Sequence, residues 1–182
     1  AHNEERYIGR CIESVMSSAQ RAQVNAEVVV ALNRCTDGTQ AIAESLGARC
    51  VVEERKCIAA VRNAAVRGGN AYALATIDAD SWMQPHTMAE LIRHVNDQRY
   101  VGGGATIWPE RWSLGIVLTG FVVARYVIDK GISAGLFWCQ RDAFEAIGGF
   151  DERMVSVEDV DFAVRLKALG KTRGQCFGTL WR

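Results

Sequence analysis

Tyr72-Ala73-Leu74-Ala75-Thr76-Ile77-Asp78-Ala79-Asp80-Ser81 decides the architecture, because a short apolar run leads straight into two carboxylates at alternate positions. Alternate residues of an extended strand point the same way, so Asp78 and Asp80 are expected to converge at the strand's carboxyl end. Ligand crevices of open α/β sheets lie at that edge. Hard cations such as Mg²⁺ or Mn²⁺ favour carboxylate plus phosphate oxygens, so a divalent ion there would hold a diphosphate and neutralise its charge as it leaves. The competing reading is a plain turn, since aspartate and serine are common turn formers.

Upstream, the pattern alternates. Ile8, Cys11, Ile12, Val15, Met16 and Ala19 recur at helical spacing and predict an amphipathic helix from Glu4 to about Ala22. Glu27 to Ala31 is a β-branched run suited to a strand buried on both faces. Asn33 to Gly38 has loop composition, and a helix from Thr39 to Leu46 follows with Gly47 placed to stop it. Ala48 to Val52 reads as a strand, and Ile58 to Arg67 as a helix ended by Gly68-Gly69. Helix alternating with strand argues for an α/β sheet with parallel strands and crossover helices. A parallel sheet that opens on a helix lacks a strand, so the chain is expected to be a fragment cut just after its first strand.

Downstream, Pro85 suits the first turn of a helix running to about Asp97. Tyr100 to Ile107 reads as a strand, Ser113 to about Lys130 as a helix, and Leu136 to Gln140 as a strand. A short helix ends at Gly148-Gly149, which with Phe150 reads as a turn carrying a buried aromatic. The last helix predicted is Val157 to about Ala168, closed by Gly170. There is no internal repeat or linker, so one domain fits best.

Within Ser156-Val157-Glu158-Asp159, the Ser156/Asp159 spacing is that of a capping box, and acids complement the positive end of a helix. A carboxylate held there could equally accept the proton of an attacking hydroxyl. Asn33-Arg34-Cys35-Thr36-Asp37-Gly38-Thr39 supplies polar groups and a helix start, as a nucleotide pocket would, although Asp37 reads first as a cap. Arg62 suits a phosphate or an ordinary ion pair. Trp82, Trp108, Trp112 and Trp138 could stack on sugars, but core packing suits most of them better.

Composition narrows the classes. Lys plus Arg equals Asp plus Glu at 21 each, which gives no support for a nucleic-acid binder. The six cysteines form no Cys-x-x-Cys pair and read mostly as buried free thiols; His2, His86 and His94 do not fall at zinc-ligand spacing with them. The opening Ala1-His2-Asn3-Glu4-Glu5 has no signal-peptide character. The longest apolar stretch, Gly115 to Ile128, is interrupted by Arg125 and is shorter than the ~20 residues a spanning helix needs.

Together these pieces resemble the family 2 glycosyltransferases. Ala1-His2-Asn3-Glu4-Glu5 is similar to the segment after that family's first strand. Asn33 to Thr39 resembles its loop ending in Thr-Asp-Gly-Thr, Arg62-Asn63 its Ala-Arg-Asn, and Asp78-Ala79-Asp80 its DXD metal motif. Gly148-Gly149-Phe150-Asp151-Glu152, then Glu158-Asp159-Val160-Asp161-Phe162 and Arg165-Leu166, resemble its acceptor-side signature. No single motif is specific, but five in that order are.

The resemblance implies the GT-A fold, a Rossmann-like, mostly parallel sheet flanked by helices. Residues 1–182 would form one catalytic domain truncated at both ends, with 1–107 the nucleotide-sugar-binding half and 108–182 the acceptor-side half. The implied activity is inverting transfer of a sugar from a nucleotide-sugar donor, a UDP-sugar, to an acceptor hydroxyl with Mg²⁺ or Mn²⁺. His2, Glu4, Asn33, Arg62 and Asp78 would serve the donor, and Asp78 and Asp80 the metal. Asp159 would be the general base, with Glu158 as the second candidate. The family commonly has aspartate where Asn33 stands, and the Gln-x-x-Arg-Trp motif of its processive members is absent. The implied location is cytoplasmic or at the inner membrane face, with room for peripheral membrane association in the full-length protein. A nucleotidyltransferase and a non-catalytic nucleotide-sugar-binding fragment remain the alternatives.

Overall fold

The computed structural model describes residues 1–106, 136–154 and 156–181. The helix predicted from Ser113 to Lys130, the apolar stretch from Gly115 to Ile128, Trp108 and Trp112 lie outside the described residues. In chain order the elements are α1 (Ile8–Arg21), β1 (Val29–Leu32), α2 (Thr39–Ser45), β2 (Arg49–Val52), α3 (Ile58–Gly68), β3 (Ala73–Thr76), α4 (Thr87–Val95), β4 (Tyr100–Ala105), β5 (Phe137–Gln140), α5 (Arg141–Ala146), α6 (Glu158–Arg173) and β6 (Cys176–Leu180). The α/β alternation read from the sequence is present.

The strands form two separate sheets. β1 and β2 pair in parallel, while β3, β5, β4 and β6 make a mixed sheet in that order. In it β5 runs antiparallel to both β3 and β4, and β4 runs parallel to β6. β5 shows the two-residue period of a strand covered on both faces. Phe137 and Cys139 face a cluster with Phe144, Phe150, Phe162 and Leu166, whereas Leu136 and Trp138 belong to a second cluster with Val15 of α1, Leu91 of α4 and Leu180 of β6. Phe150 stacks on Phe162 with ring centroids 4.2 Å apart, which accounts for the buried aromatic expected after Gly148-Gly149.

Two elements depart from the sequence reading. β6 was not expected, and α6 continues past Gly170 to Arg173 before Gly174 closes it in the left-handed region at φ +68°. Gly170 is a contact residue rather than a stop: a Cβ there would stand 2.9 Å from Gln175 O and from Val101 Cγ1. β6 exists beside β4 through a similar close approach. A Cβ on Gly103 would fall 2.0 Å from Gly178 O and 2.8 Å from the Trp138 ring, so the two glycines together make the slot the indole fills.

The two sheets are joined along α3, which packs on β1 and β2 and places Ala59 and Val66 in the Phe-rich cluster. Asn63, buried in α3, clamps Phe150: its Nδ2 donates to Phe150 O and its Oδ1 accepts the Phe150 N–H, both at 2.9 Å. All six cysteines are free, two of them, Cys11 and Cys139, fully buried. Among the described residues no helix is long and apolar enough to cross a membrane.

Candidate active site

The carboxyl ends of β1 and β3 open on one cavity of about 880 Å³, and His2, Glu4, Asn33, Arg62, Asp78 and Asp80 all line it. Six residues chosen from four separate stretches of sequence are thus brought to one rim. The local geometry of the aspartates differs from the expectation. β3 ends at Thr76, and the Ser81 N–H donates to Asp78 O at 3.0 Å, closing a turn. Asp78 and Asp80 therefore stand in a turn beyond the strand, not at alternate strand positions, so the turn reading and the crevice reading hold together. Behind them, the Cys11 thiol donates to Asp78 O at 3.7 Å. Burial pushes this thiol up to about 11, with the Asp80 and Asp78 charges adding to the effect, so it stays protonated and is no nucleophile.

Arg62 is the hub. From α3 its Nη2 donates to Asp78 Oδ1 at 2.8 Å, and its Nε stands 3.9 Å from Glu158 Oε1. Nε and Nη1 are buried without a hydrogen-bond partner. A guanidinium carries five N–H donors in a rigid fork, so this one keeps donors in hand for an anionic group entering the cavity. Of the two readings of Arg62, the ion pair is present, and it leaves the other open.

The first turn of α6 carries Glu158, Asp159 and Asp161. Glu158 is buried at 7 % exposure and reaches back toward Arg62, whereas Asp159 is the residue beside it and does not line the cavity. The expected capping box is not formed. The N-cap is Val157, with no side-chain capping bond, and Asp159 Oδ1 instead accepts the Val160 N–H at 2.7 Å. Val157 sits in the left-handed region at φ 58°, ψ 24°, where a β-branched residue carries strain on the order of 1–3 kcal/mol. Asp161 pairs with Arg165 at 2.6 Å, and Arg165 donates to Ile147 O and Gly149 O, fixing α6 against the Gly148-Gly149 turn.

On the β1 side, Asn33 is spent on structure. Its side-chain amide donates to Glu53 O and to Arg55 O, and its Oδ1 accepts from Arg34. His2 Nδ1 lies 2.6 Å from Asn33 O, which holds the imidazole at the rim. The N-cap of α2 is Gly38, without a side-chain capping bond; Asp37, one residue earlier, accepts the Thr39 N–H at 3.0 Å and the Thr39 hydroxyl at 2.6 Å and so ties down the loop that leads into the helix. Trp138 is core, and Arg10 lies 3.6 Å over the Trp82 ring, the place a sugar would need. Among the described residues no three His, Cys, Asp or Glu side chains gather into a ready-made metal cage. Two rim carboxylates suit a hard cation that takes its other ligands from phosphate oxygens and water.

Sequence reasoning missed Asn63 as a clamp, Arg62 as the tie between Asp78 and Glu158, and the strain at Val157. The resemblance of Arg62-Asn63 to Ala-Arg-Asn was the signal for the first, and nothing local signals the others.

Residues 1–115 match a family model described as glycosyl transferase family 2. EpsH of Bacillus subtilis (strain 168), a protein that carries a glycosyltransferase name, is 26 % identical over 102 residues, which cover 53 % of this chain and 29 % of EpsH. Among solved structures, the mannosyltransferase PcManGT from Pyrobaculum calidifontis, in complex with GDP-Man and Mn²⁺, superposes with a TM-score of 0.74 at 20 % identity, covering 100 % of this chain and 52 % of that one. Mannosyl-3-phosphoglycerate synthase from Rubrobacter xylanophilus gives 0.67 at 19 % identity, covering 100 % and 63 %. The chain therefore spans under a third of EpsH and about half to two thirds of these enzymes, and at such identity the superpositions establish the shared fold.

Proposed function

We propose that this chain, which belongs to glycosyl transferase family 2, moves a sugar from a nucleoside-diphosphate donor, a UDP-sugar, onto an acceptor hydroxyl with a divalent metal ion and inversion at the anomeric carbon. The observation that carries this reading is one cavity rim holding Asp78, Asp80 and Arg62, tied through Glu158 to the acidic first turn of α6.

Asp78 and Asp80 would hold Mg²⁺ or Mn²⁺, which when bound neutralises the diphosphate as it leaves. The Nη1–H of Arg62, which neither carboxylate engages, would donate to the same diphosphate. His2 and Glu4 would face the nucleoside. Asn33, with its amide committed to Glu53 and Arg55, shapes that wall instead of reading the base. Asp159 would accept the proton of the attacking hydroxyl, and Glu158 acts through Arg62 as a positioning residue. A hydroxyl deprotonated on the face opposite the leaving diphosphate gives in-line displacement, hence inversion.

Calorimetry with a UDP-sugar, with and without Mn²⁺, tests the metal. Asp80→Ala is expected to abolish the Mn²⁺-dependent part of the affinity; equal, metal-independent binding in both proteins overturns the reading. GDP-mannose belongs in the same titrations, because the Pyrobaculum structure holds it. Asp159→Asn is expected to keep donor binding while turnover falls by ~10²–10⁴-fold. Retained turnover removes Asp159 from the role. Pyrophosphate release would point instead to nucleotidyl transfer, and donor binding without any transfer to a binding fragment.

A further inference from the structure

We propose that one stripe of α1, carrying Arg10, Cys11, Ser14 and Ser18, positions the turn of Asp78 and Asp80 for its cation, with Ser14 as the chief positioning residue. The inference rests on the donor-site reading above and adds to it the residues that hold the two carboxylates in place.

The starting point is a segment without a frame. β3 ends at Thr76 and α4 begins at Thr87, so residues 77–86 belong to no helix or strand. Both rim aspartates lie on this stretch. An irregular segment has no ladder of its own, so its backbone groups need partners elsewhere.

Those partners come from α1. At about 100° per residue, positions 10, 11, 14 and 18 share one stripe of the helix. The Cys11 thiol donates to Asp78 O at 3.7 Å, and the Ser14 hydroxyl accepts the Met83 N–H at 2.9 Å. The Ser18 hydroxyl, fully buried, accepts the Met88 N–H at 3.0 Å and lies 3.1 Å from Gln84 O and 3.3 Å from Pro85 O. The Arg10 guanidinium lies 3.6 Å over the Trp82 ring. Apolar contacts follow the same course: Ala79 packs on the cluster of Ile8 and Ile12, and Met83 on that of Val15 and Ala19.

Ser14 matters most because its bond falls nearest the carboxylates. Serine is a middling helix former, since its hydroxyl competes for backbone groups. That tendency is put to use here. Ser14 Oγ donates its one proton to Cys11 O at 2.7 Å, which leaves its lone pairs for the Met83 N–H. Ser18 secures the far end. α4 has His86 at its N-cap without a side-chain capping bond, and Ser18 supplies the acceptor that the Met88 N–H lacks within the helix. α1 also starts just after His2 and Glu4, with the Tyr7 and Ile8 N–H groups both bonded to Glu4 O at 2.9 Å. One helix therefore sets the nucleoside wall and the cation turn at a fixed separation.

The test titrates Mn²⁺ by electron paramagnetic resonance, with and without UDP, well below the melting temperature of each variant. Ser14→Ala is expected to weaken Mn²⁺ binding about 10-fold while leaving the affinity for UDP alone unchanged. Ser14→Thr keeps the hydroxyl and should restore Mn²⁺ binding. Ser45 on α2 makes the same kind of bond, to Ile42 O at 2.8 Å, and Ser45→Ala should leave Mn²⁺ binding as it was. Should Ser14→Ala fail to fold, Arg10→Gln carries the test from an exposed position, with a smaller loss in the same direction. A merely structural Ser14 would lower the melting temperature of Ser14→Ala without moving its Mn²⁺ affinity, and that result overturns the proposal. Equal weakening of UDP alone does so too, because it signals general loosening of the site. A parent chain that takes up no Mn²⁺ even with UDP overturns the donor-site reading itself, and this proposal with it.

Discussion

The two sheets are built on different principles. The β3–β6 sheet is packed by large interlocking rings, with Trp138, Phe137, Phe150 and Phe162 nearly solvent-free and glycines cut to fit them. The β1–β2 sheet is held by small aliphatics such as Val30, Leu32, Ala43 and Ala48, and one of its edges is open. Yet His2, Glu4 and Asn33 belong to this lighter side, which reaches the carboxylates beyond β3 and on α6 through Arg62 and Asn63 of α3 and through Cys11 of α1. Stability is concentrated in one region while the candidate site lies across the joint, where small relative shifts would alter Asp78, Arg62 and Glu158 together.

The strongest way to break this contrast is to hollow out each side. Trp138→Ala is expected to cost about 3–5 kcal/mol in urea unfolding, since the slot between Gly103 and Gly178 cannot collapse without moving backbone. Val30→Ala on the open-edged sheet should cost only about 1.5 kcal/mol, the transfer free energy of its lost methyl groups. Equal losses would mean that the two regions are packed alike. Next in size is the joint. Asn63→Ala strands the buried Phe150 N–H and C=O, an expected loss of about 2–3 kcal/mol. It sharpens the comparison if far-ultraviolet dichroism and Trp138 fluorescence then report different midpoints, the sign that the sheets unfold separately. Coincident midpoints would show that packing alone keeps them one unit.

What could be read in advance was local. Apolar period and glycine placement located α1 to α4 and β1 to β5 to within a few residues; of the two carboxylate-rich stretches, Asp78-Ala79-Asp80 lies on the cavity, whereas Glu158 and Asp159 are not among its lining residues. What escaped was set by contacts between distant residues. Cys176-Phe177-Gly178-Thr179-Leu180 carries a glycine in mid-strand, a feature that argues against a strand until the Trp138 ring above it is known. Gly170 looks like a helix stop for the same reason: only the approach of Val101 explains it. The Ser156/Asp159 spacing matched a capping box, but Val157 turns left-handed and the bond never forms. Arg62 advertised an anion partner from the sequence, and only the fold could reveal that two carboxylates from different elements already compete for it.

The smallest expected effect concerns the polar link across the joint. Arg55, just after β2, pairs with Glu53 at 2.8 Å and with Glu152, between α5 and α6, at 2.6 Å. Hydrogen bonds from Arg55 hold the Glu53 carboxyl down at about 2, below its ordinary 4.5; Asn63 and then Arg55 lower Glu152 as well. A carboxyl with a depressed folded-state pKa binds fewer protons than in the unfolded chain, so its stabilisation is full above the ordinary value and is lost as pH falls toward about 2. Melting temperature should therefore decline through that acid window, and Glu53→Gln should flatten the decline. Arg55 is half exposed, so added salt should weaken the effect. Arg55→Ala removes both pairs at once and should flatten the acid slope more than Glu53→Gln does. If the two variants give the same slope, the Glu152 arm contributes nothing, and the joint between the sheets rests on Asn63 and the apolar face of α3.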